Sequence, residues 1–298
     1  MTRLGHLFKS ALLMRKYCKN WVQVVILYLT GRQMITLYIR PSLVLSLHVP
    51  RHPRRFQIFA LCRLLEAGWT IQPEPSSRVI LKSESGISLR CRLDSGFDLW
   101  HVAQIFLDNE YGSEFADKCV IDAGMSNGDS SIYFASRGAK LVIGLEPSPE
   151  SFALAEQNIS LNGMRGKVVP LNQALAAAVG TTELMLSTAA PEASAISPSK
   201  QIADQVHFNS RVTVNTITVS EIISRFKLDR VDLLKLDCEG CEYEVIRNLA
   251  PSDAALISDI IMEFHDGPRN LEECLSRRGY IVRASGTTMG TVHAWHAQ

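Results

Sequence analysis

The chain has no Asp or Glu before Glu66, although 11 Lys and Arg have already appeared by Arg63. The remainder holds 20 basic residues against all 30 acidic ones, so a net charge of +1 hides a basic head on an acidic body. Long apolar runs are missing too. Trp21 to Leu29 is too short to span a bilayer, and Met34 to Val49 is interrupted by Arg40 and Pro41. Neither stretch makes a secretory signal, which needs one uninterrupted apolar region and a small-residue cleavage site. The seven cysteines are odd in number and lack framework spacing, which fits a reducing, cytoplasmic setting better than a secreted disulfide scaffold.

What is present is concentrated in Cys119-Val-Ile-Asp122-Ala-Gly124-Met-Ser-Asn-Gly128-Asp. A short apolar run reads as a buried parallel strand, ends in an acid and two glycines, and leads into a helix over Ser130 to Ser136. A second apolar run, Leu141 to Leu145, ends at Glu146 and Pro147. Two strands with acids at their carboxyl ends and a helix between them form a βαβ unit, and ligands of open α/β sheets sit beyond those ends. The glycines allow a tight turn and close approach of backbone to ligand. The spacing is D-x-G-x-x-x-G rather than the G-x-G-x-x-G of a dinucleotide site, and an acid at Asp122 repels phosphate while suiting a cationic or amine-bearing ligand. Glu146, 22 residues after Gly124, stands where an acid accepts hydrogen bonds from a ribose diol. The loop resembles motif I of the class I S-adenosylmethionine methyltransferases, and Glu146 resembles their ribose-binding acid; the bland alternative is an ordinary strand-to-helix turn.

The basic head, residues 1–63, is read as an extension of a domain over 64–298 whose core begins near 115. Leu4 to Leu29 suggests an irregularly amphipathic helix, with Leu7, Leu12, Cys18, Trp21 and Val25 near one side and Lys9, Lys16 and Lys19 elsewhere. It fits a helix packed on the domain, a peripheral contact with a membrane or polyanion, or an acid-poor transit segment. Phe56 to Ala67 reads as a helix stopped by Gly68, Pro73 to Ser77 as a loop, Val79–Leu81 and Ile87–Cys91 as a hairpin, and Leu99 to Leu107 as a helix.

After Glu146, Ser148 suits an N-cap, Pro149 a first turn and Gly163 a C-terminal stop. Val168 to Leu171 is the third strand, followed by Asn172-Gln-Ala174. Thr182 to Leu186 and Arg211 to Ile217 are further strand candidates, and Ala189 to Ser199 reads as a flexible loop, either a connector or a lid. The second informative stretch is Val231-Asp-Leu-Leu-Lys235-Leu-Asp237-Cys-Glu239-Gly240-Cys-Glu242. Charges at alternate positions at the end of a buried strand are costly unless paired or functional. Cys238-x-x-Cys241 invites a metal or redox reading but shows no second ligand pair or helix-start redox setting, and no metal is expected. Ala255 to Phe264 reads as the fifth strand, ending in Glu263 and His265. Tyr280 to Arg283 and Thr291 to Trp295 read as a closing antiparallel hairpin.

Taken together, Val120 to Gly128, Gly144 to Gly163, Asp232 to Glu242, Ile261 to His265 and Arg278-Gly279-Tyr280 resemble the FkbM-family methyltransferases over roughly residues 119 to 283. One departure is Met125-Ser126, where the family usually carries Ala-Asn. The resemblance implies a Rossmann-like class I fold, a mostly parallel sheet with helices on both faces and an antiparallel last strand. It implies S-adenosylmethionine as donor and a hydroxyl of a sugar, glycan or glycosylated metabolite as acceptor. Asp122, Gly124 and Gly128 are expected at the methionine half of the donor and Glu146 at its ribose. Ser148 and Ala174 are expected near the adenosine side, with Ser126, Asn127, Pro147 and Asp237 as further contacts. His265 is the first choice of general base. Asp237 would orient acceptor or donor, and Lys235 and Glu239 would organise the carboxylates. No nucleic-acid partner is expected and no oligomeric state is assigned. The rivals are a nicotinamide-dependent oxidoreductase, disfavoured by the glycine spacing and Asp122, and a binding module without turnover.

Overall fold

A computed structural model describes residues 12–29, 34–48, 55–94, 97–188, 190–196, 198, 203–204 and 206–296. The chain divides into two compact units, Met1–Glu110 and Tyr111–Gln298. The boundary expected at residue 63 instead falls inside the helix Arg55–Glu66.

In the first unit the expected long amphipathic helix is broken; Leu7 and Lys9 lie outside the described residues. The break comes at Cys18 to Asn20. Cys18 bridges to Ile39, and the Asn20 side chain donates to the Thr36 carbonyl at 2.8 Å and accepts from the Tyr38 amide at 3.0 Å. An Asn side chain that imitates a backbone partner competes with helix continuation. A helix resumes over Trp21–Leu29, with Val24 buried and Val22 and Ile26 exposed. The apolar stretch broken by Arg40 and Pro41 is a hairpin of β1 (Met34–Ile39) and β2 (Leu43–His48), with Ile35, Leu37 and Ile39 buried at alternate positions. After Arg55–Glu66 come β3 (Thr70–Glu74), β4 (Arg78–Lys82) and β5 (Ser88–Arg92), a meander in the order β3-β4-β5, then the helix Asp98–Leu107. Pro73, read as loop, pairs with Val79 in β3. The edge position explains this, because an edge strand tolerates a residue without an amide proton.

Arg92 and Asp98 are both buried, and the guanidinium grips the carboxylate through Nη2–Oδ1 at 2.8 Å and Nε–Oδ2 at 3.0 Å. The Arg92 amide adds a bond of 2.8 Å to Oδ2. Burial works to raise the Asp98 carboxyl, and Arg92 outweighs it, holding the group below its ordinary range.

The second unit is built on a sheet ordered β14-β15-β13-β12-β6-β7-β8. Its strands are β6 (Cys119–Ala123), β7 (Leu141–Leu145), β8 (Val168–Leu171), β12 (Val231–Leu236), β13 (Ile257–Phe264), β14 (Tyr280–Gly286) and β15 (Gly290–His296). Neighbours from β8 to β13 pair in parallel, whereas β15 runs antiparallel between β13 and β14. The apolar runs read as buried parallel strands are those strands, covered on both faces as parallel sheets require. Between them, β9 (Ala174–Leu175), β10 (Gly180–Leu186) and β11 (Ser210–Ile217) form a separate small sheet with Leu184, Val214 and Ala174 at its centre. The segment read as a flexible loop is folded back in its described part. It holds a short turn at Pro191–Ala193 and a bridge from Ala195 to Met185. Strand order reverses between β6 and β12, which opens a crevice beyond their carboxyl ends.

Removing one member of a buried ion pair leaves the other charge uncompensated. Asp98→Ala should therefore cost about 3–5 kcal/mol of stability, and urea unfolding of the wild type and the variant at neutral pH measures it.

Candidate functional site at the strand switch point

Register brings the site together. Asp122 in β6 lies directly opposite Lys235 in β12 and Gly144 in β7. Asp122 is sealed from solvent. The Ser130 and Ser131 hydroxyls donate to its Oδ2 at 2.7 and 2.6 Å, and Lys235 Nζ stands 3.1 Å from Oδ1. Asp122, expected at the donor, has its carboxylate on the first turn of the loop's own helix and on Lys235. Lys235 also donates to the Gly124 carbonyl at 2.7 Å and reaches Asp237 Oδ2 at 3.8 Å. Burial works against its charge, and the two carboxylates outweigh it, so the ammonium is held above its ordinary range. Lys235 thus stands between two carboxylates from inside the sheet.

Above this pair runs the glycine loop. Gly124 has φ +80°, and a Cβ there would stand 1.8 Å from the Asp237 carbonyl oxygen, so only glycine lets the ends of β6 and β12 meet. Gly128, also at positive φ, precedes the helix Asp129–Ser136 and packs on Ala155, which a Cβ would approach to 3.2 Å. Ser126 is held at φ +46°, and its amide donates to Glu146 Oε2 at 3.0 Å. The other oxygen of Glu146 accepts from the Ser148 amide at 2.8 Å, while Asn172 Nδ2 donates to the carbonyls of Glu146 and Pro147 at 2.8 and 3.0 Å. Ser148 occupies the N-cap of Pro149–Leu161 as expected, although its hydroxyl makes no capping bond. Asn127 accepts from the Asp129 amide through Oδ1 at 3.1 Å, and Asn158 Nδ2 donates to the Asn127 carbonyl at 2.9 Å. Ala174 belongs to the buried core of the small sheet.

The carboxyl ends of β12 and β13 carry the second group. His265 is buried, with Nε2 3.4 Å from Glu239 Oε2 and 3.7 Å from Glu263 Oε1. Burial lowers its pKa below the ordinary 6.5, against an opposing pull from Asp237. Asp237, half-buried, donates its amide to the Ala123 carbonyl at 3.1 Å. Glu239 sits at φ +57°. The turn beneath it closes on Glu242, whose Oε1 accepts from the Cys238 amide at 2.9 Å and whose Oε2 accepts from the Gly240 amide at 2.8 Å. Burial pushes the Glu242 carboxyl up to about 7. Cys238 and Cys241 are disulfide-bonded, and the helix Glu242–Asn248 follows directly.

Several working residues were not assigned roles from sequence. Ser130 and Ser131, in the first turn of the loop's own helix, were legible only as helix residues. Asn158 and Asn172 act through long-range contacts that no local pattern announces, and Glu242 through the amides two and four residues before it.

The described site fits a sulfonium nucleoside. Ser126 Oγ and Asn127 Nδ2 are buried beside Glu146 and have no hydrogen-bond partner among the described residues, so they are polar groups left for a ligand. The exposed carboxylates suit a cation, and Asp129 at the helix start disfavours pyrophosphate. Such a sheet and loop define a class I methyltransferase. The Methyltransferase FkbM domain matches residues 122–282, more than half of the chain, and the protein belongs to that family; its methyl donor is S-adenosylmethionine. Methyltransferase sdnD of Sordaria araneosa is 24% identical over 208 residues, 60% of this chain and 80% of that protein. Hexuronic acid methyltransferase AglP of Haloferax volcanii is 23% identical over 201 residues, 64% of this chain and 77% of that protein. Among solved structures, M. capricolum TrmK with S-adenosyl-homocysteine aligns with TM-score 0.41 and 11% identity, over 67% of this chain and 69% of that one.

Glu146→Ala should weaken S-adenosylmethionine binding by about 1–3 kcal/mol, the scale of a lost charged hydrogen-bonding partner. Calorimetry reads this directly, and unchanged affinity would place the ribose elsewhere. A second expectation concerns pH. The folded chain keeps the Glu242 proton up to about pH 7, whereas an unfolded carboxyl releases it at a much lower pH. The folded state therefore binds more protons in that window, and stability falls as pH rises through it. Glu242→Gln should flatten that fall by on the order of 3 kcal/mol, measured by urea unfolding across the window.

Proposed function

We propose that this protein transfers a methyl group to a hydroxyl of a sugar, glycan or glycosylated metabolite, with His265 as general base. The observation that carries this reading is a buried imidazole at the end of β13, the strand paired with the one that leads into Asp237. The relative named as a hexuronic acid methyltransferase supports a sugar-like acceptor.

The loop residues Gly124, Ser126 and Asn127 and the carboxylate of Glu146 would hold the donor. Bound there, S-adenosylmethionine supplies a methyl group already activated by its sulfonium. The protein's part is then to place the hydroxyl in line and take its proton as the bond forms. His265 Nε2 faces two carboxylates and carries the ring proton. Its lone pair is on Nδ1, which is buried without a hydrogen-bond partner among the described residues. A buried acceptor left unfilled is costly, and an acceptor hydroxyl docked on it both satisfies the ring and positions the proton to be removed. Glu239 and Glu263 stabilise the imidazolium that results, and Asp237 orients the substrate.

A screen of sugars and glycosides with labelled methyl donor identifies the acceptor. With it, His265→Ala should lower turnover by roughly 10²–10⁴ while donor affinity stays nearly unchanged. The wild-type kcat should rise with pH along a limb centred below 6.5, and that limb should vanish in the variant. Wild-type turnover in His265→Ala would move the base to Asp237 or Glu239, and loss of donor binding would make His265 structural.

A further inference from the structure

The disulfide between Cys238 and Cys241 is the only one among the described residues, and it lies inside the turn that carries Glu239. Its two cysteines are three positions apart. So small a loop removes little entropy from the unfolded chain, because disulfide stabilisation grows with the length of chain enclosed. Global stability is therefore a weak reason for the bond. Its effect is local. Glu239 at φ +57° and Gly240 at φ +120° occupy backbone conformations that L side chains rarely adopt. The turn is pinned at three points: the crosslink, the Glu242 carboxylate that accepts from the amides of Cys238 and Gly240, and the contact of Glu239 with His265. Both cysteines are partly exposed, whereas Cys18 and Cys62 are buried, so a reagent in solution reaches this pair before those thiols.

We propose that Cys238 and Cys241 form a thiol–disulfide exchange site for a dithiol reductant, and that its oxidation state sets whether Glu239 is held against His265. A thiolate of the dithiol attacks one sulfur and breaks the Sγ–Sγ bond, giving a mixed disulfide. Its second thiol then displaces the protein sulfur. Two electrons and two protons pass to the protein, which ends with two thiols, while the dithiol ends as a cyclic disulfide. Without the crosslink, the turn from Cys238 to Cys241 loses one of its three restraints and Glu239 leaves the imidazole. The catalytic consequence rests on the proposed role of His265; the exchange site itself does not.

The test uses the full chain purified without reductant. Iodoacetamide labelling, mapped by peptide mass, should modify Cys238 and Cys241 only after treatment with dithiothreitol. Hydrogen exchange at the amides of Cys238 and Gly240 should be about tenfold faster or more in the reduced protein. The double variant Cys238→Ser, Cys241→Ser should show the fast exchange with or without dithiothreitol. Labelling of both cysteines before reduction would overturn the proposal, as would equal exchange rates in the two states. S-adenosylmethionine calorimetry on both forms separates the readings: binding by neither form would sink the proposed function while leaving the exchange result intact.

Discussion

The site depends on one buried charge pair, Asp122 with Lys235. Parallel register sets the two residues opposite each other on adjacent strands, and both are shut away from water. Such a pair is expensive unless its remaining hydrogen-bonding capacity is filled. Two serine hydroxyls fill one carboxylate oxygen, the ammonium stands 3.1 Å from the other, and the Gly124 carbonyl accepts a hydrogen bond from the ammonium. The consequence is positional. The carbonyl of the donor loop is tied to β12, and the loop's first glycine lies against the Asp237 backbone with no room for a side chain. The glycine loop and the end of β12 are thereby held together.

That arrangement divides the charged residues into two groups. Asp122, Lys235 and Glu242 are spent inside the structure, on the sheet and on the turn after β12. The carboxylates of Glu146, Asp237 and Glu263 all lie at the carboxyl ends of the parallel strands, Glu146 buried and the other two partly exposed. A positively charged donor is favoured in such a field, and the product left after methyl transfer, which has lost the sulfonium charge, is favoured less. The same electrostatics that recruit the donor thus ease release of what remains of it.

Much of this was legible in the residues. Short apolar runs ending in Asp122, Glu146, Asp237 and His265 marked four parallel strands and put their acids at one edge, because period and strand-end chemistry are local signals. The misreadings share a physical cause. Pro73 looked like a loop because its tolerance depends on an edge position, which is a property of the sheet. The break at Asn20 depends on a strand that comes later in the chain.

The departure of this chain from its family at Met125 follows from the same geometry. A bulky side chain on the donor loop would be expected to intrude on the ligand. Instead Met125 is fully buried, and it occupies the space above Gly144 on the neighbouring strand, where a Cβ would come within 2.5 Å of its sulfur. Gly144 is itself the register partner of Asp122. The absence of a side chain at that one position thus accommodates the larger loop residue beside the buried charge pair. With Met125 turned into the sheet, the loop presents Ser126 next, in a left-handed conformation with its amide on Glu146 and its hydroxyl without a protein partner among the described residues. The substitution changes what lies beneath the loop and leaves the donor-facing surface to the residues that hydrogen-bond.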